Sequence, residues 1–118
     1  MNSSVVLDYA NQRMLDMGFL RGRDYTISSQ QYTIGASSSS KIIDGTNDVH
    51  FLSNLYSTKA AVLSGSIVAD DNADTLNPLF LNKEYTLLQA YRGTILITNS
   101  SAAGNLYVEF IRVSFLNK

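Results

Sequence analysis

Residues 106–116 read Leu-Tyr-Val-Glu-Phe-Ile-Arg-Val-Ser-Phe-Leu, and they form the longest β-type segment in the chain. The apolar side chains of an extended strand here fall on one face at first and then on the opposite face: Val108 and Phe110, followed by Ile111, Val113 and Phe115. One regular strand cannot direct both sets into a single core. Either a β-bulge near position 110 shifts the phase, or both faces are covered, as in the central strand of a sandwich or at a subunit interface.

Short β-type segments fill most of the chain before this strand. The triplet Tyr-Thr-Ile occurs at 25–27 and again at 32–34, which we interpret as a hairpin of strands 24–28 and 31–35 around Ser29-Gln30. Further strands are predicted at these positions: 49–52, 60–69, 84–92 and 94–98. Turn signals recur about every eight to twelve residues, as is typical of sandwiches and barrels. The sequence therefore predicts a mainly β protein, a β-sandwich or jelly-roll-like domain of about 7–8 short antiparallel strands with one N-terminal helix.

The helix is predicted over residues 4–17. Its apolar residues recur at spacings of three, four and three, which places them on one helical face: Leu7, Ala10, Met14 and Met17. Gly18 follows at the position of a left-handed C-cap. This apolar face can pack against one of two surfaces: the sheet of its own chain, or a neighbouring copy or partner protein.

The chain has 118 residues, enough for one domain with a single extended core. We predict an N-terminal helix or arm over 1–20 and a single β domain over 21–118. A serine-rich stretch, 35–40, is interpreted as a flexible link or surface loop within that domain.

Composition excludes several functional classes. Nine basic and ten acidic residues give a net charge of −1, without the basic excess that a phosphate-binding surface needs, so we expect no nucleic-acid partner. The absence of cysteine excludes disulfides, thiolate metal sites and cysteine nucleophiles. The apolar runs are about five residues long, against roughly 20 for a membrane span, and no signal peptide is expected.

Catalytic residues are not apparent. His50, the single histidine, lies in the strand-like stretch 49–52 and is interpreted as structural. A small hydrolase would require His50 to be exposed in a pocket beside a serine, and Ser64-Gly65-Ser66 does not match a nucleophile elbow. The two glutamates, Glu84 and Glu109, sit within predicted strands, where a cross-strand arginine would explain either one. We therefore expect a protein without a catalytic site or cofactor, and not an enzyme.

Two acidic turns are candidates for calcium. The first is the segment 70–74, whose carboxylates belong to Asp70, Asp71 and Asp74, and the second is the segment 44–48. Neither matches an EF-hand loop. The alternative is that both are solvated turns, the acidic residues of which blunt the edges of the sheets.

The chain contains seven tyrosines, and exposed ones can serve as platforms for sugars or as interface residues. Low charge combined with many serine, threonine and asparagine side chains suits packing against identical copies, because few ions need to be desolvated.

The helix 4–17, the serine-rich link 35–40 and a terminal hairpin over 94–116 together resemble the small β-sandwich structural proteins of tailed-phage virions, of the capsid-decoration, head-fibre or connector type. The resemblance covers the whole chain in style and implies a non-enzymatic structural or assembly protein located in a virion. Its partners would be further copies of itself, or capsid or other virion proteins. The side chains expected at that interface are Leu7, Ala10, Met14, Met17, Ile111, Val113 and Phe115. The alternative is a carbohydrate- or receptor-binding module that uses exposed tyrosines.

Overall fold

The computed structural model describes residues 3–37, 39–45, 47–78 and 90–116. The elements in these ranges are, in chain order, helix α1 (Ser3–Asp16), strands β1 (Tyr25–Ile34), β2 (Ser39–Ile43) and β3 (Asp48–Ser57), a 3₁₀ turn (Ala60–Val62), and strands β4 (Gly65–Val68), β5 (Ala73–Leu76), β6 (Ala90–Arg92), β7 (Ile95–Asn99) and β8 (Leu106–Phe115). The expected fold class is confirmed, since the described chain is mainly β with one N-terminal helix.

The strands form two four-stranded antiparallel sheets. Sheet A has the order β1-β8-β3-β6, and sheet B has the order β2-β7-β4-β5. The first strand pairs with the last, the second with the seventh, the third with the sixth and the fourth with the fifth. This is the pairing of a long antiparallel hairpin rolled into a sandwich, so the topology is that of a jelly roll.

Strand β8 lies inside sheet A, and each of its two faces contributes side chains to a core. The side chains of Leu106, Val108 and Phe110 enter the core between the two sheets. Those of Ile111 and Val113 enter a second core, between sheet A and α1. Of the two alternatives raised by the sequence, the central strand is therefore confirmed and the bulge near position 110 is wrong. The register with β1 is continuous along the whole of β8.

Strand β1 repeats this change of face, and the predicted hairpin around Ser29-Gln30 is wrong. The two Tyr-Thr-Ile copies lie in one uninterrupted strand that pairs with β8 over its full length. Seven residues separate them, and this odd offset places the two copies on opposite faces of a strand. Tyr25 accordingly packs under α1, whereas Ile34 packs between the sheets.

Helix α1 packs on the outer face of sheet A, which settles the two alternatives in favour of its own chain. It ends at Asp16 and is followed by the predicted left-handed cap residue Gly18, whose φ is +88°. The Gly18 amide donates to the Leu15 carbonyl (2.9 Å) and the Phe19 amide donates to the Met14 carbonyl (2.9 Å), which is a Schellman C-cap. No helix in the described ranges is long and apolar enough to cross a membrane.

The side chains expected at a partner interface mostly belong to the core of the chain itself. Those buried in the core between α1 and sheet A are Ala10, Met14, Ile111 and Val113, while Leu7 and Phe115 pack against that core. Met17 is the exception, with 47% of its surface exposed. The expectation that this face meets a partner is thus corrected, because the open outer face of sheet A offers the helix a surface within the same chain.

The predicted hairpin over 94–116 is also wrong, because β7 and β8 belong to different sheets. The buried side chain of Asn99 holds the corner where the chain crosses between them. Its amide nitrogen lies 3.0 Å from the Gly35 carbonyl and 2.8 Å from the Gly104 carbonyl. Gly35 lies in the connection from β1 to β2 and Gly104 in the connection from β7 to β8, and both connections cross from one sheet to the other, so one side chain ties these two together.

The predicted strand 60–69 is shorter than expected and starts only at Gly65. A β-carbon at this position would lie 2.0 Å from the Thr98 carbonyl oxygen, so β4 can approach β7 closely only with glycine here. The acidic segment 70–74, for which a solvated turn was the alternative, runs into the edge strand β5 at Ala73. Of the predicted strand 84–92, positions 84–89 lie outside the described residues, and the rest forms β6.

Replacing Met14 by alanine is expected to lower the free energy of unfolding by about 2–5 kcal/mol, because it leaves a cavity beneath the helix. The matched variant Met17→Ala is expected to change it by less than about 0.5 kcal/mol, since that side chain is largely exposed. Chemical denaturation followed by circular dichroism measures both. Equal effects of the two substitutions would show that α1 does not pack through the Met14 face.

Candidate functional site

A bulge in β3 shapes the outer face of sheet A beyond the helix. Relative to β8, β3 carries one extra residue at Ser53, between two regular stretches of pairing. After the bulge Asn54 pairs with Glu109 and Tyr56 with Tyr107, so these polar residues of β3 share the outer face with those of β8. The leucine between them turns toward the core between the sheets.

The outer face of sheet A is therefore apolar under α1 and polar beyond it. We call the polar part the tyrosine platform, and its outward-facing side chains are Gln31, Thr33, Asn54, Tyr56, Tyr107 and Glu109. They surround a concavity of about 170 Å³. Enclosed ligand pockets typically measure about 300–1,000 Å³, so the platform is a shallow surface site.

Glu109 is held in a fixed orientation at the centre of this platform. Gln31 donates to one carboxylate oxygen through Nε2 (2.7 Å), and the Ser53 hydroxyl donates to the other (2.9 Å). The cross-strand arginine expected beside a strand glutamate is occupied elsewhere, because Arg112 pairs with Asp48. A carboxylate oxygen can accept more than one hydrogen bond, so an oriented Glu109 can also accept from a ligand hydroxyl.

Two tyrosines form the wall beside this carboxylate. The rings of Tyr56 and Tyr107 are stacked, with centroids 4.8 Å apart and planes inclined by 18°. Tyr107 is half-buried, whereas 51% of Tyr56 is exposed. Cross-strand stacking fixes the orientation of the exposed ring before any ligand arrives.

His50 lies in the opposite face of β3 and is fully buried in the core between the sheets. Its ring meets Phe110 edge-on, with centroids 5.4 Å apart, and neither ring nitrogen has a hydrogen-bond partner among the described residues. Burial lowers the pKa of His50 to about 4, with a further lowering by the charge of Arg112 that Asp48 partly opposes. The exposed histidine beside a serine that a hydrolase would require is not found at position 50.

Two of the acidic residues predicted as calcium candidates, Asp71 and Asp74, are engaged with protein groups. Asp71 accepts a hydrogen bond from the Arg92 amide (2.9 Å), and Asp74 accepts one from the Tyr91 hydroxyl (2.5 Å). Residues 3–37, 39–45, 47–78 and 90–116 contain no cluster of three or more histidine, cysteine, aspartate or glutamate side chains that could hold a metal ion. Asp70, Asp71 and Asp74 are therefore not gathered into such a cluster.

The second acidic turn, 44–48, is closed by Arg112. The guanidinium donates through Nε to Asp48 (2.6 Å) and through a terminal nitrogen to the Asp44 carbonyl (3.1 Å). Asp48 is thereby a structural partner of β8, which fixes the start of β3.

The platform itself was not predicted from the sequence. From the sequence, Glu109 is expected to be a paired strand residue, and Tyr56 and Tyr107 are two of seven tyrosines without predicted neighbours. The signal that could have located the platform is the spacing of core residues in β3, where Leu52 is followed by Leu55 instead of by an apolar residue at position 54. A spacing of three in a strand indicates a bulge, and the bulge brings the two tyrosines together.

No protein-family model matches the chain, and no curated protein and no solved structure matches it either.

The titration of His50 predicts how stability depends on pH. Because the folded pKa is about 4 and the ordinary value is 6.5, the unfolded chain binds more protons between these values. The contribution of His50 to the free energy of unfolding is thus fully present above about pH 6.5, and it falls by on the order of 3 kcal/mol as the pH drops to about 4. Denaturation curves across this range should show the loss in the native chain and a smaller one in His50→Leu. Carboxylate titration contributes to both proteins, so identical pH profiles would contradict a buried, neutral His50.

Proposed function

We propose that the chain is a carbohydrate-binding module that recognises a neutral glycan through the tyrosine platform, without a catalytic step. The observation that carries this proposal is the combination of an exposed, pre-oriented aromatic ring with a fixed carboxylate on one shallow surface. The contacts that a sugar needs are of two kinds, apolar and polar, and the platform offers both.

The apolar contact comes from Tyr56. One face of a sugar ring presents C–H groups, which pack against an aromatic ring that has both an exposed surface and little conformational freedom to lose. Tyr107 stacks on Tyr56 and holds it in place.

The polar contacts come from the centre of the platform. Glu109 accepts hydrogen bonds, while the side chains of Asn54 and Thr33 both donate and accept. These groups suit the many hydroxyls of a sugar, each of which is a donor and an acceptor. The shallow shape suits a residue within a longer chain or at its end, because the site does not enclose its ligand.

Jelly-roll architecture is compatible with this proposal but does not decide it. The same architecture is found in lectin domains and in viral capsid proteins. Fold-level analogy therefore supports both of the functions weighed from the sequence, and the site must discriminate between them.

The test is a glycan array probed with the labelled chain, followed by calorimetric titration of the glycans that bind. Saturable binding is expected. Tyr56→Ala and Glu109→Gln should each weaken it roughly tenfold or more, because one removes the ring contact and the other removes a charged acceptor. Tyr56→Phe should retain most of the affinity, since the ring remains.

Ile42→Ala is the control, because this side chain is 66% exposed on the opposite sheet and lies far from the platform. Binding that survives Tyr56→Ala unchanged, or an array without any saturable hit, would contradict the proposal. Circular dichroism of each variant separates a lost contact from a lost fold.

A second proposal is a structural role in an assembly, as in a virion subunit, and the outer face of sheet B supports it. Side chains from three neighbouring strands stand in register there and form an exposed apolar row: Ile42, Leu96 and Val68. The adjacent row consists of hydroxyl side chains: Ser40, Thr98 and Ser66. Both rows lack charge, so another protein subunit can cover them without desolvating ions.

Leu96→Lys tests this second proposal, because it places a charge in the middle of the apolar row. Sedimentation of the purified chain should reveal self-association that this variant abolishes and that Tyr56→Ala leaves intact. A native chain that stays monomeric at every concentration, or whose self-association is unchanged by Leu96→Lys, would exclude self-assembly through this face.

A further inference from the structure

Strand β1 forms one edge of sheet A and differs from the other three edges of the sandwich. It has ten residues and contains neither a charged residue nor a proline. It has no bulge in its register with β8. Proteins usually protect such an edge, because its free backbone groups can pair with another strand.

The remaining edges carry that protection. Of strand β6 the structure describes Ala90–Arg92, and this part ends on the charged Arg92. Strand β5 has four residues and includes Asp74, and β2 has five residues and includes Lys41. Charged residues and short length are the usual means of keeping an edge unpaired, so β1 stands out as the unprotected edge among the described strands.

The backbone groups that β1 leaves open can be identified. The Leu116 amide donates to the Asp24 carbonyl (3.0 Å), which continues the β1–β8 register by one residue. Along an antiparallel strand the backbone N–H and C=O groups of successive residues point to opposite sides within the plane of the sheet. In β1 the backbone groups of even-numbered residues bond to β8, and those of odd-numbered residues point to the open edge. After Tyr25, the residues whose backbone groups point to the open edge are Ile27, Ser29, Gln31 and Thr33.

The start of this edge is already covered. The Tyr25 carbonyl accepts from the Gly22 amide (2.7 Å), and Arg21 forms a β-bridge with Tyr25. The four outward residues that follow it have no backbone partner among the described residues. The open edge therefore runs from Ile27 to Thr33.

We propose that this open edge pairs with the same edge of a second copy, giving an antiparallel two-fold dimer with one continuous eight-stranded sheet. A two-fold axis through Gln30 places Ile27 opposite Thr33 of the second copy and Ser29 opposite Gln31 of the second copy. Each of these pairs can exchange both backbone hydrogen bonds. All four open residues are then paired, and none of the groups already in use is needed.

Two features favour a second copy over an unrelated strand. The second copy ends its strand at Ile34, one residue short of the position opposite Tyr25, where Arg21 and Gly22 cover the edge. The open lengths of the two copies therefore match. The strand is uncharged, so two identical edges meet without like-charge repulsion. The alternative register, with the two-fold axis through Ser29, would need the Tyr25 carbonyl, which already accepts from Gly22.

The test begins with the native chain, by sedimentation from low micromolar to millimolar concentration combined with amide hydrogen exchange. A dimer is expected, and protection of the amides of Ile27, Ser29, Gln31 and Thr33 should rise with concentration. The amides of even-numbered β1 residues should be protected throughout, because they bond to β8. A monomer at every concentration, with unprotected odd-numbered amides, would overturn the proposal.

Substitution at the axis tests the register. Gln30→Lys and Gln30→Glu each place two like charges directly opposite one another, which should weaken the dimer roughly tenfold or more. Mixing the two variants places opposite charges together and should restore a heterodimer. Thr75→Lys adds the same charge at the β5 edge and should leave dimerisation unchanged.

Ser29→Pro provides a second, independent variant, because it removes an outward-pointing N–H without touching the ladder to β8. It should abolish the dimer while the chain stays folded. A dimer that persists in Ser29→Pro, or a Lys–Glu mixture that stays monomeric, would show that the copies do not meet along β1. The inference uses the backbone groups of Gln31 and Thr33, whereas the tyrosine platform uses their side chains, and it uses no residue of the outer face of sheet B. Its test therefore stands or fails separately from the tests of both earlier proposals.

Discussion

A strand whose apolar side chains change face half-way along its length needs a cover on each side, and this requirement of β8 organises the rest of the structure. The early residues of β8 are covered by sheet B and the later ones by α1. The buried side chains of strand β1 change face at the matching position, so β1 and β8 both need sheet B to cover one face and α1 to cover the other. The result is a three-layer arrangement in which the two cores are displaced along one shared sheet, and the part of the outer face that α1 leaves uncovered becomes the tyrosine platform.

The features that depend on local periodicity could be predicted from the sequence. Helix α1, its end at Gly18, strand β8 and the mainly β class all follow from patterns within a few residues. The continuous β1 could not be predicted, because Ser29-Gln30 looks like a loop unless the neighbouring strand is known to pair across it. The same holds for β7 and β8, which look like a hairpin until Asn99 is seen to hold a crossing between sheets.

The interface and site residues show a related limit. An apolar helix face predicts burial, but it does not say which surface does the burying, and Met14 was therefore assigned to a partner although sheet A covers it. The platform depends on register across three strands, since Gln31, Glu109 and Tyr56 come from distant parts of the chain and meet only after the bulge at Ser53. The burial of His50, by contrast, follows from its apolar context in the sequence, and its lowered pKa is the electrostatic consequence of that burial.

The pairing of the first strand with the eighth also has a consequence for synthesis of the protein on the ribosome. Strands β1 and β3 both take β8 as their neighbour, yet β8 is translated after every other described strand. Neither core can close on a nascent chain that lacks it, because β8 contributes side chains to both. Pairings this distant in sequence also form slowly. Both cores therefore close only after β8 has been synthesised, and until then the uncharged β1 lacks its neighbour, the period when a chaperone has the most to protect.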